Sequence, residues 1–379
     1  MNLKILHEVC SLPTAPFREQ AVIAYARSFA RQRGLKVTQD AQGNVMLELA
    51  GRKRRPRWVF AAHMDHPGFV AVKMLDAHTL LAAFRGWVLA ELIGGERVRF
   101  CGKEGEIAGK VVKVRPWKYS PRAGSAEIRV EGKVAANTPG MFDQGLGRVK
   151  GKIFYSRAID DLGGVAAALA MLDELSRSKS ARPQGPVVAL LTRAEEDGFG
   201  GAIAAALNRR MLGKSDRIIA IECSAQQAYA RQGDGCIIRI GDKTSIFNSG
   251  LSYFLTQQAR ELAKTDKTFR YQRALMPGGT CEATVYDAFG LQAAAACVPL
   301  GNYHNMDQKR KKIGPEYIDI NDWRNMTKLF VRIARRGHEY EEGHKALRAG
   351  FMDRYNWFKR LLAADAKPAA SSDDGKRPT

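Results

Sequence analysis

Apolar positions along this chain change rhythm twice. After the turn Leu12-Pro13-Thr14-Ala15-Pro16, the residues Ala21, Val22, Ala24, Tyr25 and Phe29 recur at the spacing of an amphipathic helix beginning near Glu19. Gly34 suits the C′ position that would end it. Two strand-like runs follow, Val37-Thr38 and Asn44 to Leu49, and then the basic loop Arg52 to Arg57. Trp58 to Ala62 is continuously apolar, as expected for a strand buried on both faces.

Between residues 69 and 152 the pattern shortens. Arg97 to Phe100, Lys110 to Val114 and Ala126 to Val130 are β-rich runs separated by turns such as Gly94-Gly95 and Glu131-Gly132. No amphipathic helix is evident there. Beyond Lys152 long periods return. Helices are predicted over Leu162–Leu175 and Leu251–Ala263, and buried strands over Val187–Leu191, Ile218–Ile221 and Ala293–Val298. Trp323–Arg336 and Glu342–Leu362 also read as helices, the latter basic and expected to dock through Phe351, Tyr355, Trp357 and Phe358. Alternating strands and helices predict an α/β fold, a mostly parallel or mixed sheet sandwiched by helices, carrying an inserted small all-β domain. The expected boundaries are 1–68 and 153–340 for the α/β domain, 69–152 for a barrel-like insertion, and 341–379 for a C-terminal helix and mobile tail. There are no internal repeats.

Composition narrows the class. The 379 residues are 45% hydrophobic and 26% charged, which excludes fibrous and wholly disordered chains. Lys+Arg 60 against Asp+Glu 39 gives a net charge of +21, enough to attract anions. The six cysteines are scattered with no C-x-x-C pair, and no run approaches the roughly eighteen apolar residues of a membrane span. These features predict a cytoplasmic protein with no membrane partner, and nucleic acid is the minor reading of the charge.

Acidic and imidazole residues follow the apolar strands with some regularity. His63 and Asp65 follow the strand ending at Ala62, and Asp160-Asp161 precedes the helix at Leu162. Glu195-Glu196 follows Thr192, Glu222 ends the Ile218 strand, and His304 follows Val298 after a turn. Each has a plainer explanation: a structural histidine, a helix cap, a solvated acidic turn. Their co-occurrence changes the balance. Strand ends of an open parallel sheet share one edge, and half-buried carboxylates gathered there are costly without cations. Histidine and carboxylate together suit Zn²⁺, Co²⁺ or Mn²⁺.

Five blocks carry a resemblance. Ala61-Ala62-His63-Met64-Asp65 with Gly68-Phe69, Ala158-Ile159-Asp160-Asp161 with Gly163, Ala194-Glu195-Glu196 with Gly198 and Gly201, Met276-Pro277-Gly278-Gly279-Thr280, and Tyr303-His304 stand in the order seen in the M42 family. That family comprises dinuclear metalloaminopeptidases related to the M28 and M20 metallopeptidases, and the likeness spans about residues 1–335. It implies two divalent ions per subunit, Zn²⁺ or Co²⁺, with Asp160 bridging, His63 and Glu222 completing one site, and Glu196 and His304 the other. By the same resemblance Glu195 is the general base, Asp65 orients His63, and Asp161 braces the turn. It further implies peptide substrates cut at the N-terminus and a homo-oligomer, in this family often a large tetrahedral assembly. Three places depart from the pattern: Glu222 where Asp is usual, His66-Pro67 where an acidic and an apolar residue are usual, and Leu162 where Arg is common. The alternatives are an amidohydrolase or deacylase of the same clan acting on acyl-amino acids, and a non-catalytic basic nucleic-acid-binding protein. Gln308 to Lys312, close after His304, suggests tolerance of acidic N-terminal residues.

Overall fold

The computed structural model describes residues 3–102, 105–177 and 182–365. Two units are distinguished, Met1–Gly337 and His338–Thr379. The first is built on an eight-stranded mixed sheet. Its strands run in the order Lys36–Gln39, Val45–Leu49, Val187–Thr192, Trp58–His63, Arg217–Ala225, Gln292–Leu300, Cys236–Gly241, Tyr271–Leu275. The four central strands, from Val187–Thr192 through Gln292–Leu300, are mutually parallel, and antiparallel neighbours flank them. In register, Thr192 stands beside His63 and Glu222 beside Cys297, so these strands end along one edge.

Alternation along the Trp58 strand explains why every residue in it is apolar until His63. Val59 and Ala61 pack into a cluster with Ala202, Ala205 and Ala283 from the helices Gly200–Leu207 and Glu282–Ala288. Trp58 and Phe60 point to the opposite layer, where their rings lie 5.3 Å from Phe254 and 5.0 Å from Phe330. Those phenylalanines belong to the helices Ser249–Thr265 and Ile320–Arg336. Side-chain period two thus feeds two separate cores from one strand. The helix Leu162–Ser176 is buried nearly all round, which accounts for its alanine- and glycine-rich sequence.

After the Trp58 strand the chain enters a closed six-stranded barrel. Its strands are ordered Gly68–Met74, Thr79–Arg85, Ala123–Val130, Gly105–Pro116, Arg97–Gly102, Pro139–Phe142. Phe69, Phe84, Phe100 and Phe142 fill its centre, with Phe69 edge-on to Phe84 at 5.0 Å and to Phe142 at 5.4 Å. Gly140 must be glycine, because a Cβ there would sit 2.6 Å from the Phe100 ring. The chain returns through Arg148–Lys150 and Ile153–Ser156, which pair in a three-stranded sheet with Glu316–Asp319.

The sequence pattern locates the Trp58, Val187, Ile218 and Ala293 strands to within a few residues. It misses Lys4–Cys10, Gly200–Leu207, Cys236–Gly241, Tyr271–Leu275 and Glu282–Ala288, which are too short or too mixed to display a period. The second unit contains the helix Tyr340–Asp365. Its Phe351, Tyr355, Trp357 and Phe358 are all exposed. The C-terminal tail expected from residue 363 lies, from residue 366 onward, outside the described residues.

Candidate metal centre

Five segments of the chain bring the acidic and imidazole groups together. His63 ends its strand and is buried, its Nε2 3.6 Å from Asp160 Oδ1 and 3.9 Å from Glu195 Oε2. His304 sits past the end of the Gln292 strand in a left-handed conformation, φ 55°. Its Nε2 lies 3.6 Å from Asp160 Oδ2 and 3.2 Å from Glu196 Oε2. The two oxygens of Asp160 therefore face two different histidines. Ligand atoms fall within 4.8 Å of one another in three overlapping sets: His63–Asp160–Glu222, Asp160–Glu196–His304, and His63–Glu195–Glu196.

Backbone groups hold these side chains in place. His304 Nδ1 lies 2.8 Å from the Trp87 carbonyl, as a donor would, which presents Nε2 to the cluster. The N–H of His304 donates to Glu316 Oε1 at 2.8 Å, while Glu316 Oε2 accepts from the N–H groups of Ile159 and Asp160 at 2.6 and 3.0 Å. One buried carboxylate thus ties the His304 loop to the Asp160 loop. Asp65 does the same for the Glu195-Glu196 turn: its two oxygens accept from the N–H groups of Glu195 and Glu196, each at 3.0 Å. His63 Nδ1 is closer to the Asp65 carbonyl, 3.2 Å, than to its carboxylate, 3.6 Å. Asp161 follows Asp160 through a cis peptide bond and caps the Leu162 helix, accepting from Gly164 N–H at 3.1 Å. His66 is buried between the Asp160 carbonyl, 2.6 Å, and Asn305 Oδ1, 3.0 Å.

The electrostatics are those of a crowded, dehydrated acidic site. Burial raises Glu222 to about 8 against the opposing pull of His63 and Arg239. Burial, with Glu222, Glu196 and Asp65 nearby, likewise holds Glu195 well above the usual carboxylate range despite His63. Burial would lower His304, but Glu196 and Asp160 outweigh it and leave the imidazole at about 9. His63 is similarly driven up, against burial, by Glu195, Asp160 and Asp65. Asp160 Oδ1, Glu196 Oε1 and Glu222 Oε1 are buried with no hydrogen-bond partner among the described residues. Orphaned carboxylate oxygens beside two imidazole nitrogens suit divalent cations, which satisfy and neutralise them together.

All the site residues expected from sequence lie around this centre. Trp87, Glu316, Asn305 and Arg239 were not expected. Trp87 acts through a carbonyl that side-chain patterns cannot reveal, and Glu316 is remote from the strand ends. Arg239 left a signal, a lone cation inside the apolar strand Cys236–Gly241. Its guanidinium is buried, donates to Ser224 Oγ at 3.1 Å, and leaves Nε without a partner among the described residues. It lines a cavity of about 90 Å³ together with Glu222, Ser224, Gly278, Gly279, Thr280 and Tyr303. Lys309, Arg310 and Lys312 line a larger cavity, about 840 Å³, that shares Ala225 and Tyr303 with the small one.

Known proteins share this fold. No curated protein matches the sequence. The fold is similar to that of aminopeptidase APDkam598 from the archaeon Desulfurococcus kamchatkensis (TM-score 0.74, 22% identity, covering 88% of this chain and 94% of that one). It is also similar to the TET1 peptidase of Pyrococcus horikoshii, which can assemble into a tetrahedron or a large octahedral shell (TM-score 0.72, 20% identity, 88% and 98% covered). An endoglucanase from Thermotoga maritima shares the fold too (TM-score 0.67, 18% identity, 89% and 98% covered). Such likenesses establish the backbone and leave the chemistry to the site. The profile of the M42 glutamyl aminopeptidases matches residues 43–312, most of the chain. This protein belongs to the M42 family of peptide hydrolases.

Proposed function

We propose that the protein is a metal-dependent aminopeptidase that removes N-terminal residues from peptides. The observation that carries this reading is the pair of ligand sets sharing Asp160, with unpartnered oxygens on Asp160, Glu196 and Glu222. His63, Asp160 and Glu222 would hold one divalent ion, Zn²⁺ or Co²⁺, and Asp160, Glu196 and His304 the other. Bound there, two ions supply a water of lowered pKa and polarise the scissile carbonyl.

Within this reading the chain's own residues divide the remaining work. Glu195 is the general base: its carboxylate is held close to His63 by a turn whose N–H groups are fixed by Asp65, and it passes a proton to the leaving amine. Glu196, one residue on, faces His304 and is committed to the metal side. Arg239 binds an acidic side chain of the N-terminal residue. Its Nε is buried without a hydrogen-bond partner among the described residues, and a substrate carboxylate in the small cavity would supply one. The barrel is an inserted domain within an α/β domain made of residues 1–68 and 153–340. The chain works as a homo-oligomer in the cytoplasm, a reading supported by the assembling TET1 relative in fold and by six free cysteines. Metal analysis of the purified protein, with a panel of free-amine and N-acetylated aminoacyl-anilides, tests the proposal. Absence of divalent metal uptake, or cleavage of the acetylated series alone, overturns it.

A further inference from the structure

The helix Tyr340–Asp365 carries a pattern that the peptidase site does not use. At 3.6 residues per turn, Leu347, Phe351, Tyr355, Phe358 and Leu362 fall within about 80° of arc. All five are exposed, Phe351 by 59% and Leu362 by 62%. Leu361 widens the stripe, and Trp357 beyond it is 77% exposed. Cations accompany the stripe: Arg354 lies within it, between Leu347 and Leu361, Arg348 and Lys359 follow one edge, and Lys345 and Arg360 stand further round. From Lys345 to Ala363 only Asp353 is acidic.

An exposed apolar stripe of this extent marks an interaction surface. Its border selects the partner. A second copy of the helix would bring Arg354, Arg348 and Lys359 against like cations, with only Asp353 to oppose them. Nucleic acid would use the cations but give no role to Leu347, Leu361 and Leu362. An anionic bilayer surface matches both features at once, with acyl chains for the stripe and headgroup phosphates for its borders. Trp357 and Tyr355 suit the boundary between them.

We propose that this helix lies in the headgroup region of an anionic membrane and holds the peptidase at that surface. The sequence-based expectation of no membrane partner rested on the lack of a spanning segment. An interfacial helix needs no span, and no described helix is long and apolar enough to cross a membrane. The inference is independent of the metal centre.

The test uses the full-length, metal-loaded protein with vesicles of phosphatidylcholine alone or of two parts phosphatidylcholine to one part phosphatidylglycerol. The protein is expected to sediment with the mixed vesicles only, and to be released by salt. A Phe351→Glu/Phe358→Glu variant should bind about tenfold more weakly or worse, with peptide hydrolysis unchanged, while Phe351→Leu/Phe358→Leu keeps binding. Failure of the parent protein to bind the mixed vesicles overturns the proposal. So does a glutamate variant that binds as well as the parent, or one whose loss is a smaller assembly in the absence of lipid. Retardation of RNA at an affinity above that for the vesicles also overturns it.

Discussion

The strand-end rim and the C-terminal helix are solvated in opposite senses. At the rim, His63, Asp160, Glu222 and His304 are buried although each is charged or strongly polar. On the helix, Leu347, Phe351, Phe358 and Leu362 are exposed although each is apolar. A chain folding for its own stability alone would arrange neither. In the readings proposed above, each region is matched to something outside the chain, cations at the rim and a lipid surface at the helix. The rest of the molecule obeys ordinary rules, as the barrel's phenylalanine centre and the layers on the two faces of the sheet do.

The largest expected effect tests the rim. Glu195→Gln keeps the shape and the metal ligands but removes the proton acceptor, so turnover should fall by about a hundredfold to ten-thousandfold with metal content unchanged. Normal turnover, or loss of metal, would show that Glu195 has another role. His63→Ala should instead lower bound metal, measured by elemental analysis after gel filtration, and activity with it. Full occupancy of both sites would contradict its place as a ligand.

A smaller effect separates the rim from its neighbouring cavity. Arg239→Met should cost about a hundredfold in kcat/KM on a glutamyl-anilide and little on a leucyl-anilide. A uniform loss on both anilides would make Arg239 a structural residue only.

The smallest effect is in pH. Glu222 at about 8 and His304 at about 9 both lie above their ordinary values of 4.5 and 6.5. Each therefore favours the folded state while protonated, and that contribution is lost as pH climbs through the raised value. The metal-free protein should melt at progressively lower temperature between about pH 5 and pH 9. Divalent ions, which bind the deprotonated ligands, should flatten or reverse the slope. A metal-free melting temperature that rises over this range would refute the crowded-carboxylate account.

Much of the rim was legible because its residues terminate apolar strands. His63 follows five buried positions, and Glu222 follows Ile218 to Ile221. Once a parallel sheet is inferred, strand ends share an edge, so six scattered residues become neighbours without any knowledge of loops. Their supports were not legible for the same reason. Glu316 reaches Ile159, Asp160 and His304 from a strand of a different sheet, and the Trp87 carbonyl comes from the barrel. No period in the sequence relates those positions.

What the amino-acid order determined by itself was local: which runs bury two faces, which end in a carboxylate or an imidazole, and where the chain turns to short β segments. Side-chain period and burial are set within a few residues, so they can be read in line. What only the tertiary structure decided was convergence. The two oxygens of Asp160 face His63 and His304, Asp65 fixes the turn bearing Glu195, and Arg239 is buried with its Nε unpartnered among the described residues. Those relations depend on loops closing over long stretches of chain, where many arrangements share one hydrophobic pattern and packing selects among them.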